Sequence, residues 1–191
     1  MFIIWFPRRL ISPGFFVTLA TKHYKMTNGK LLQELAIKFG EDYFGEYSWV
    51  INGMTITTAE NSNSLIMQSG SIASIIKIAR NKWVINEYLY SKEFLNALYD
   101  QFCKRQLIHF YRLMDLIAFV SEGKYVQIGP YELKVEENEE DRYIKVKGKK
   151  KVWDSDYMNY EDEGEKIMDN LLKRDLWLKA FEDYFTRKTK K

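Results

Sequence analysis

The sequence contains almost no cysteine. Its one cysteine, Cys103, cannot form a disulfide within the chain, which excludes a fold held together by internal disulfides. Cys103 follows Phe102 within an apolar pattern of helical spacing, and a reduced thiol is the simplest interpretation. We therefore expect a protein of a reducing compartment, and we predict a cytoplasmic location.

A strong charge of one sign is also absent. The formal net charge of the 191 residues is +3, but the first 25 residues hold four cations and no acid. Subtracting these four leaves a balance of about −1 from Met26 onward. A charge this small excludes a global positive field, so nucleic-acid binding would need a local patch.

No apolar run is long enough to cross a membrane. The two runs in residues 1–25 fall short of the roughly 20 residues that a spanning helix needs, and Pro13-Gly14 interrupts the longer one. We therefore predict no integral membrane span. The acid-free leader leaves four interpretations open: a weak secretory signal, an organellar address, an apolar arm packed on the domain or a partner, or an upstream start with Met26 as the true first residue.

Strong catalytic motifs are missing as well. The chain has no glycine-rich phosphate loop, no paired-cysteine metal knuckle and no serine in a nucleophile elbow. His109 follows Cys103 by six residues, which is not the spacing of a nucleophile and its base on one helical face, so a partly buried structural histidine is the simpler interpretation. We predict no cofactor and no resident metal, and the sequence favours a non-enzymatic protein.

The triplet Glu132-Leu133-Lys134 allows the hypothesis that the protein is a metal-dependent nuclease. Glu132-Leu133-Lys134 resembles the second half of the signature of restriction-endonuclease-like enzymes, in which an acid and the glutamate share a metal while the lysine orients the attacking water. The strand before it offers no acid, and the nearest upstream candidates are Glu122 and Asp115. The motif is therefore incomplete.

The segment after Trp153 imitates the spacing of a calcium-binding loop. Acids occupy the first, third, ninth and twelfth positions: Asp154, Asp156, Asp162 and Glu165. Met158 stands where an oxygen ligand is needed, and Asn159 replaces the glycine of the sharp turn. We therefore interpret these acids as charges at a helix N-terminus, which the helix dipole favours.

Residues 26–191 have the composition of one globular domain. Apolar residues make up 46% and aromatic residues 16% of the chain, enough to fill one sizeable core. We predict an α+β fold, a predominantly helical single domain with two small antiparallel β-hairpin regions. We predict residues 1–25 as an apolar and basic leader or arm, separate from the core or packed on it.

Helical patterns cover three parts of the domain. A capped helix is predicted over residues 27–40, and a last helix from about Asp162 to Arg187 with a break at Lys173-Arg174-Asp175. From about Ser64 to Val120 we predict two or three helices. The first of these is predicted from four apolar residues at helical spacing: Ile72, Ile75, Ile76 and Ala79.

Two hairpins complete the prediction. Asn52-Gly53 permits the positive φ angles of a two-residue type I′ turn, which pairs Ile51 with Met54 and Trp49 with Ile56. The second hairpin joins "YELKV" to "RYIKV". A four-residue loop over 137–140 would place Leu133 opposite Ile144, Tyr131 opposite Val146, and Glu132 opposite Lys145.

The end of the second hairpin is the candidate binding site. In the predicted register no carboxylate lies opposite the lysines around Gly148. Lysine ammonium groups can neutralise phosphates, and a nearby tryptophan can stack on an unpaired base. The candidate residues are Lys145, Lys147, Lys149, Lys150, Lys151 and Trp153. A plain solvated loop and a dock for an acidic protein remain alternatives, because the acids between 154 and 169 can fold back onto the lysines.

Three hypotheses about function follow. The first is a small non-enzymatic binding protein that contacts DNA or RNA backbone through the lysine-rich hairpin end. The second is a structural or assembly subunit, self-associating or anchored to a partner through the apolar arm and its Trp5, Phe15 and Phe16. The third is the metal-dependent nuclease that uses Glu132 and Lys134.

Overall fold

The computed structural model describes residues 26–104, 109–137, 142–148, 151–154 and 162–190, with the backbone alone at some ends of these ranges. The described helices are α1 (Asn28–Phe39), α2 (Lys82–Leu89), α3 (Lys92–Lys104), α4 (His109–Ser121), α5 (Asp162–Leu171) and α6 (Arg174–Thr189). The described strands are β1 (Glu41–Tyr43), β2 (Glu46–Ile51), β3 (Met54–Ala59), β4 (Ser64–Ser69), β5 (Ile72–Lys77), β6 (Val126–Ile128), β7 (Tyr131–Glu137), β8 (Arg142–Val146) and β9 (Lys151–Asp154).

The strands form two antiparallel sheets in chain order. The first sheet has five strands, β1 to β5, and the second has four, β6 to β9. The fold is therefore mixed α+β, and the prediction of a predominantly helical domain with two small hairpin regions is wrong.

The error lies mainly in residues 64–77, which form the hairpin β4–β5 and not a helix. Ile72, Ile75 and Ile76 satisfy helical spacing, but the preceding strand alternates, with Leu65 buried and Ile66 exposed. Alternation and β-branched side chains favour a strand, and Gly70 at φ +57° makes the tight turn.

The Asn52-Gly53 turn is confirmed. Both residues have positive φ, +50° and +69°, and the strands pair Ile51 with Met54 and Trp49 with Ile56 as predicted. Trp49 and Ile56 are fully buried. One face of the first sheet therefore belongs to the core.

Helix α1 lies against that buried face. Thr27 Oγ1 accepts a hydrogen bond from the Lys30 N–H at 3.3 Å, and the helix ends at Phe39 before Gly40, which confirms the predicted bounds. The buried Gln33 amide donates to the Ala59 carbonyl at 2.7 Å and to the Ser62 carbonyl at 3.0 Å. The helix is thereby tied to the strand β3 and the loop after it.

Helix α6 runs through the centre of the aromatic core. The predicted break before it is confirmed, because α5 ends at Leu171 and α6 begins at Arg174. The buried Trp177 indole donates to the Leu171 carbonyl at 2.6 Å and holds the two helices together. Phe181 and Phe185 of α6 join one cluster with rings from four other elements: Phe39, Trp49, Phe94, Phe102 and Phe119.

Candidate nucleic-acid interface

The register of the second hairpin differs from the predicted one by two residues. Leu133 pairs with Val146 and Val135 with Ile144, so the loop spans residues 138–141. The predicted register would have set Val135 opposite Arg142, whereas the observed one pairs it with an apolar residue. A shift of two keeps every side chain on its predicted face.

Three lysines lie in one row across the second sheet. Lys134 on β7 pairs with Lys145 on β8, and Lys145 pairs with Lys151 on β9, next to an irregularity in the β8–β9 ladder. We call Lys134, Lys145 and Lys151 the lysine row. Like charges directly opposite each other on neighbouring strands repel, so the row needs a counter-ion in the fold or from outside.

One carboxylate serves two of these lysines. Glu136 lies 2.5 Å from the Lys134 Nζ and 3.3 Å from the Lys145 Nζ, and it accepts a hydrogen bond from the Tyr143 hydroxyl at 2.6 Å. The hydrogen bond from Lys134, followed by those from Tyr143 and Lys145, lowers the pKa of Glu136 to about 2. Glu136 therefore stays ionised at any physiological pH.

Lys147 also has a carboxylate partner, contrary to the sequence-based expectation. Its Nζ lies 2.8 Å from the Glu132 Oε1, and its N–H donates to the Glu132 carbonyl at 2.8 Å. The changed register explains the contact, because it moves Glu132 from Lys145 to Lys147. The Lys147 side chain keeps 61% of its surface exposed, so the pair is a surface contact.

The remaining candidate residues are only partly described. Lys149 and Lys150 lie outside the described residues, and for Lys151 and Trp153 the backbone alone is described. Trp153 pairs with Ile144, whereas Lys151 pairs with Lys145. The strand pairing thus brings Lys145 and Lys151 together. Lys147 lies just beyond the end of β8, and Trp153 pairs with Ile144 and so is not part of the lysine row.

Tyr125 is an aromatic neighbour that the sequence analysis missed. The Lys134 Nζ lies 4.9 Å from the centre of its half-buried ring, within the range of a cation–π contact. Tyr125 directly precedes β6, whose Val126 and Ile128 are buried. That alternation was the available signal, because it places Tyr125 on the face opposite to the core.

The residues of the nuclease hypothesis have other partners. Asp115 binds the Arg142 guanidinium at 2.8 Å, and Glu122 lies 2.5 Å from the Lys188 Nζ, while Glu132 pairs with Lys147. Among the residues described, no three His, Cys, Asp or Glu side chains are grouped to hold a metal ion. For the calcium spacing, residues 155–161 lie outside the described ranges.

Cys103 is half-buried and lies within reach of Tyr99. Burial is the main factor that raises the pKa of its thiol. A protonated thiol is a weak nucleophile. The side chain of His109, six residues further along the chain, is not described.

A mixed-charge cluster joins α1, α4 and α6, and sequence reasoning missed it. The Lys188 Nζ and Glu122 form an ion pair, and the Lys38 Nζ lies 4.7 Å from the centre of the Phe119 ring. Burial lowers the pKa of Lys38 and raises that of Glu34. Because Lys188 and Glu122 are paired and Lys38 and Glu34 add one charge of each sign, the cluster is sufficiently explained as a link between three helices.

Comparison with other proteins supplies no function. The chain matches no protein-family model, no curated protein and no solved structure. In the described ranges, no helix combines the length and the apolar character needed to cross a bilayer. What the fold and surface define is a mixed α+β protein with a lysine row on its second sheet.

Proposed function

We propose that this protein is a non-enzymatic binding protein that contacts the backbone of a nucleic acid through the outer face of its second sheet. The observation that supports the proposal is the lysine row, which aligns three lysines on adjacent strands around one carboxylate, Glu136, that two of them share.

The dimensions of the row fit a phosphate backbone. Neighbouring strands lie about 4.8 Å apart, so the row extends over about 10 Å. One strand of a duplex presents a phosphate about every 3.4 Å along its axis, or about three over this length. Each lysine then faces about one phosphate.

The counter-ions of the row do not oppose this use. Glu136 is shared by Lys134 and Lys145, so one negative charge stands against two positive ones. An incoming phosphate supplies the missing charge without displacing Glu136. Tyr125 beside Lys134 adds a ring on which an unpaired base can stack, which favours single strands over duplex.

The test is retention on immobilised single- and double-stranded DNA and RNA over a range of salt. Changing Lys149, Lys150 and Lys151 to Glu reverses the charge at the end of the hairpin, and we expect this variant to lose salt-sensitive retention. The matched control changes Lys82, Lys92 and Lys173, which are exposed on or beside helices, to Glu. It alters the net charge equally and should leave most retention in place.

Two results contradict the proposal. Equal loss in both triple variants would mean that net charge alone drives retention. Equal retention of the unchanged protein on polyglutamate and on RNA at the same salt would favour an acidic protein as the partner, because polyglutamate offers charge without bases or phosphates.

A second candidate is the structural or assembly subunit, and one observation favours it. The large apolar side chains found exposed all lie between residues 43 and 84: Tyr43, Phe44, Val50, Ile66, Ile72, Ile75, Trp83 and Val84. Val50, Ile66 and Ile75 share the outer face of the first sheet, and exposed apolar residues on one face mark interaction surfaces. The proposed anchor itself, residues 1–25, lies outside the described residues. Anchoring predicts that changing Trp5, Phe15 and Phe16 to Ser lowers the mass of the assembly in solution.

A further inference from the structure

The strand β5 is a sheet edge without the usual protection against pairing. The other three edges described are short or charged: β1 has three residues and contains Glu41 and Asp42, β6 has three, and β9 starts at Lys151 and ends at Asp154. The strand β5 has six residues, and its one charge, Lys77, stands at the end. Long, uncharged, apolar edges pair with other strands.

The side chains of this edge are open to solvent. Ile72 is 73% exposed and Ile75 is 69% exposed. Ile75 pairs with Ile66 on β4, which is 41% exposed on the same face. Ile66 and Ile75 therefore form a short apolar row that ends at β5, the edge of the sheet.

The hydrogen-bonding groups of the edge follow from the β4–β5 hairpin. Gly70 and Ser71 form its two-residue loop, so Ser69 and Ile72 exchange hydrogen bonds and every second pair repeats this. The N–H and C=O groups of the intervening residues point away from β4. These residues are Ala73, Ile75 and Lys77. The Lys77 carbonyl already accepts hydrogen bonds from the Arg80 and Asn81 N–H groups, each at 3.1 Å.

We propose that β5 pairs antiparallel with β5 of a second copy, about a two-fold axis between the two Ile75 residues. Ile75 then lies opposite its own copy, and Ala73 lies opposite Lys77 on both sides of the axis. The two strands then form about four inter-chain hydrogen bonds, two between the Ile75 residues and one from each Lys77 N–H to an Ala73 carbonyl. The two five-stranded sheets become one ten-stranded sheet.

The charges of the strand select this occupant and this register. Centring on Ile75 places each Lys77 beside an alanine, whereas centring on Lys77 would oppose two ammonium groups. The apolar row also continues across the axis, with Ile66 and Ile75 of one copy meeting Ile75 and Ile66 of the other. A two-fold contact of this kind closes on itself and stops at a dimer. The inference rests on the second candidate function and is independent of nucleic-acid binding.

The test is the mass of the full chain in solution by sedimentation or light scattering over a range of concentrations. We expect a dimer for the unchanged protein. Ile75→Lys opposes two like charges at the axis of the interface and should weaken the dimer at least about tenfold, as should Ile75→Glu. Mixing these two variants should restore a dimer, because opposite charges then meet at the axis.

Two further variants test whether the contact is made by the edge of the sheet and not by its exposed face. Val50→Lys places the same charge on the same sheet at a residue with 66% exposure, away from the edge, and should leave the dimer intact. Ile75→Pro removes the outward N–H at the axis without touching the β4 ladder and should weaken the dimer. Circular dichroism confirms that each variant is folded.

Three outcomes would overturn the inference. These are a monomeric full chain at all concentrations, assemblies larger than a dimer, and a dimer that Val50→Lys breaks while Ile75→Lys leaves it unchanged. None of them bears on retention by nucleic acids, so the two proposals fail separately.

Discussion

Glu136 is the residue on which the charge balance of the second sheet depends. It holds Lys134 and Lys145 on the same face and accepts a hydrogen bond from Tyr143. These contacts exist only because the register pairs Glu136 with Tyr143 and Lys134 with Lys145. The charges of residues 132–147 can be read from the sequence, but their partners cannot. The partners are set by the strand register, which depends on the pairing of Val135 with Ile144.

The low pKa of Glu136 predicts a pH-dependent contribution to stability. Its folded pKa of about 2 lies below the ordinary value of 4.5, so its stabilisation is present above about pH 4.5 and is lost as the pH falls toward 2. We expect Glu136→Gln to lower the free energy of unfolding by about 0.5 to 1 kcal/mol at pH 7. Urea denaturation at several pH values should show the difference shrinking below pH 4.5.

The change Glu87→Gln, at an exposed carboxylate on α2, is the control for this measurement. A difference between Glu136→Gln and the unchanged protein that stays constant from pH 7 to pH 3 would contradict the proposed ion pairs.

At the scale of elements, local chemistry decided what could be predicted. The Asn52-Gly53 turn, the cap at Thr27 and the break before Arg174 are confirmed because each depends on a few adjacent residues. The hairpin β4–β5 was missed because its isoleucines fit both the spacing of a helical face and that of a strand. Leu65 and Met67 face the core while Ile66 does not, and that alternation was the better guide.

Paired substitutions on β4 test the strand assignment. Leu65 is fully buried, so Leu65→Ala should cost about 2 to 5 kcal/mol of unfolding free energy. Its neighbour Ile66 faces solvent, and Ile66→Thr should change that energy by less than about 0.5 kcal/mol. Chemical denaturation measures both. Comparable losses at the two positions would contradict a strand with one buried face.

At the scale of the whole molecule, its two sheets carry different surfaces. The first sheet exposes apolar side chains and an edge strand, β5, whose one charge is Lys77, and the second carries the lysine row. The composition predicted one core and no global positive field. It did not predict where the apolar surface or the lysine row would lie. Their positions depend on pairings between strands, which a single sequence does not display.

The most direct test of the central claim is the salt dependence of binding to a single-stranded oligonucleotide. Three phosphate contacts contribute about 2 to the slope of log K against log salt, at about 0.7 per contact. If the lysine row makes those contacts, changing Lys134, Lys145 and Lys151 to Gln should flatten the slope by about 2. Changing Lys82, Lys92 and Lys173 to Gln should leave it nearly unaltered. An equal slope for the lysine-row variant and the unchanged protein would contradict the claim.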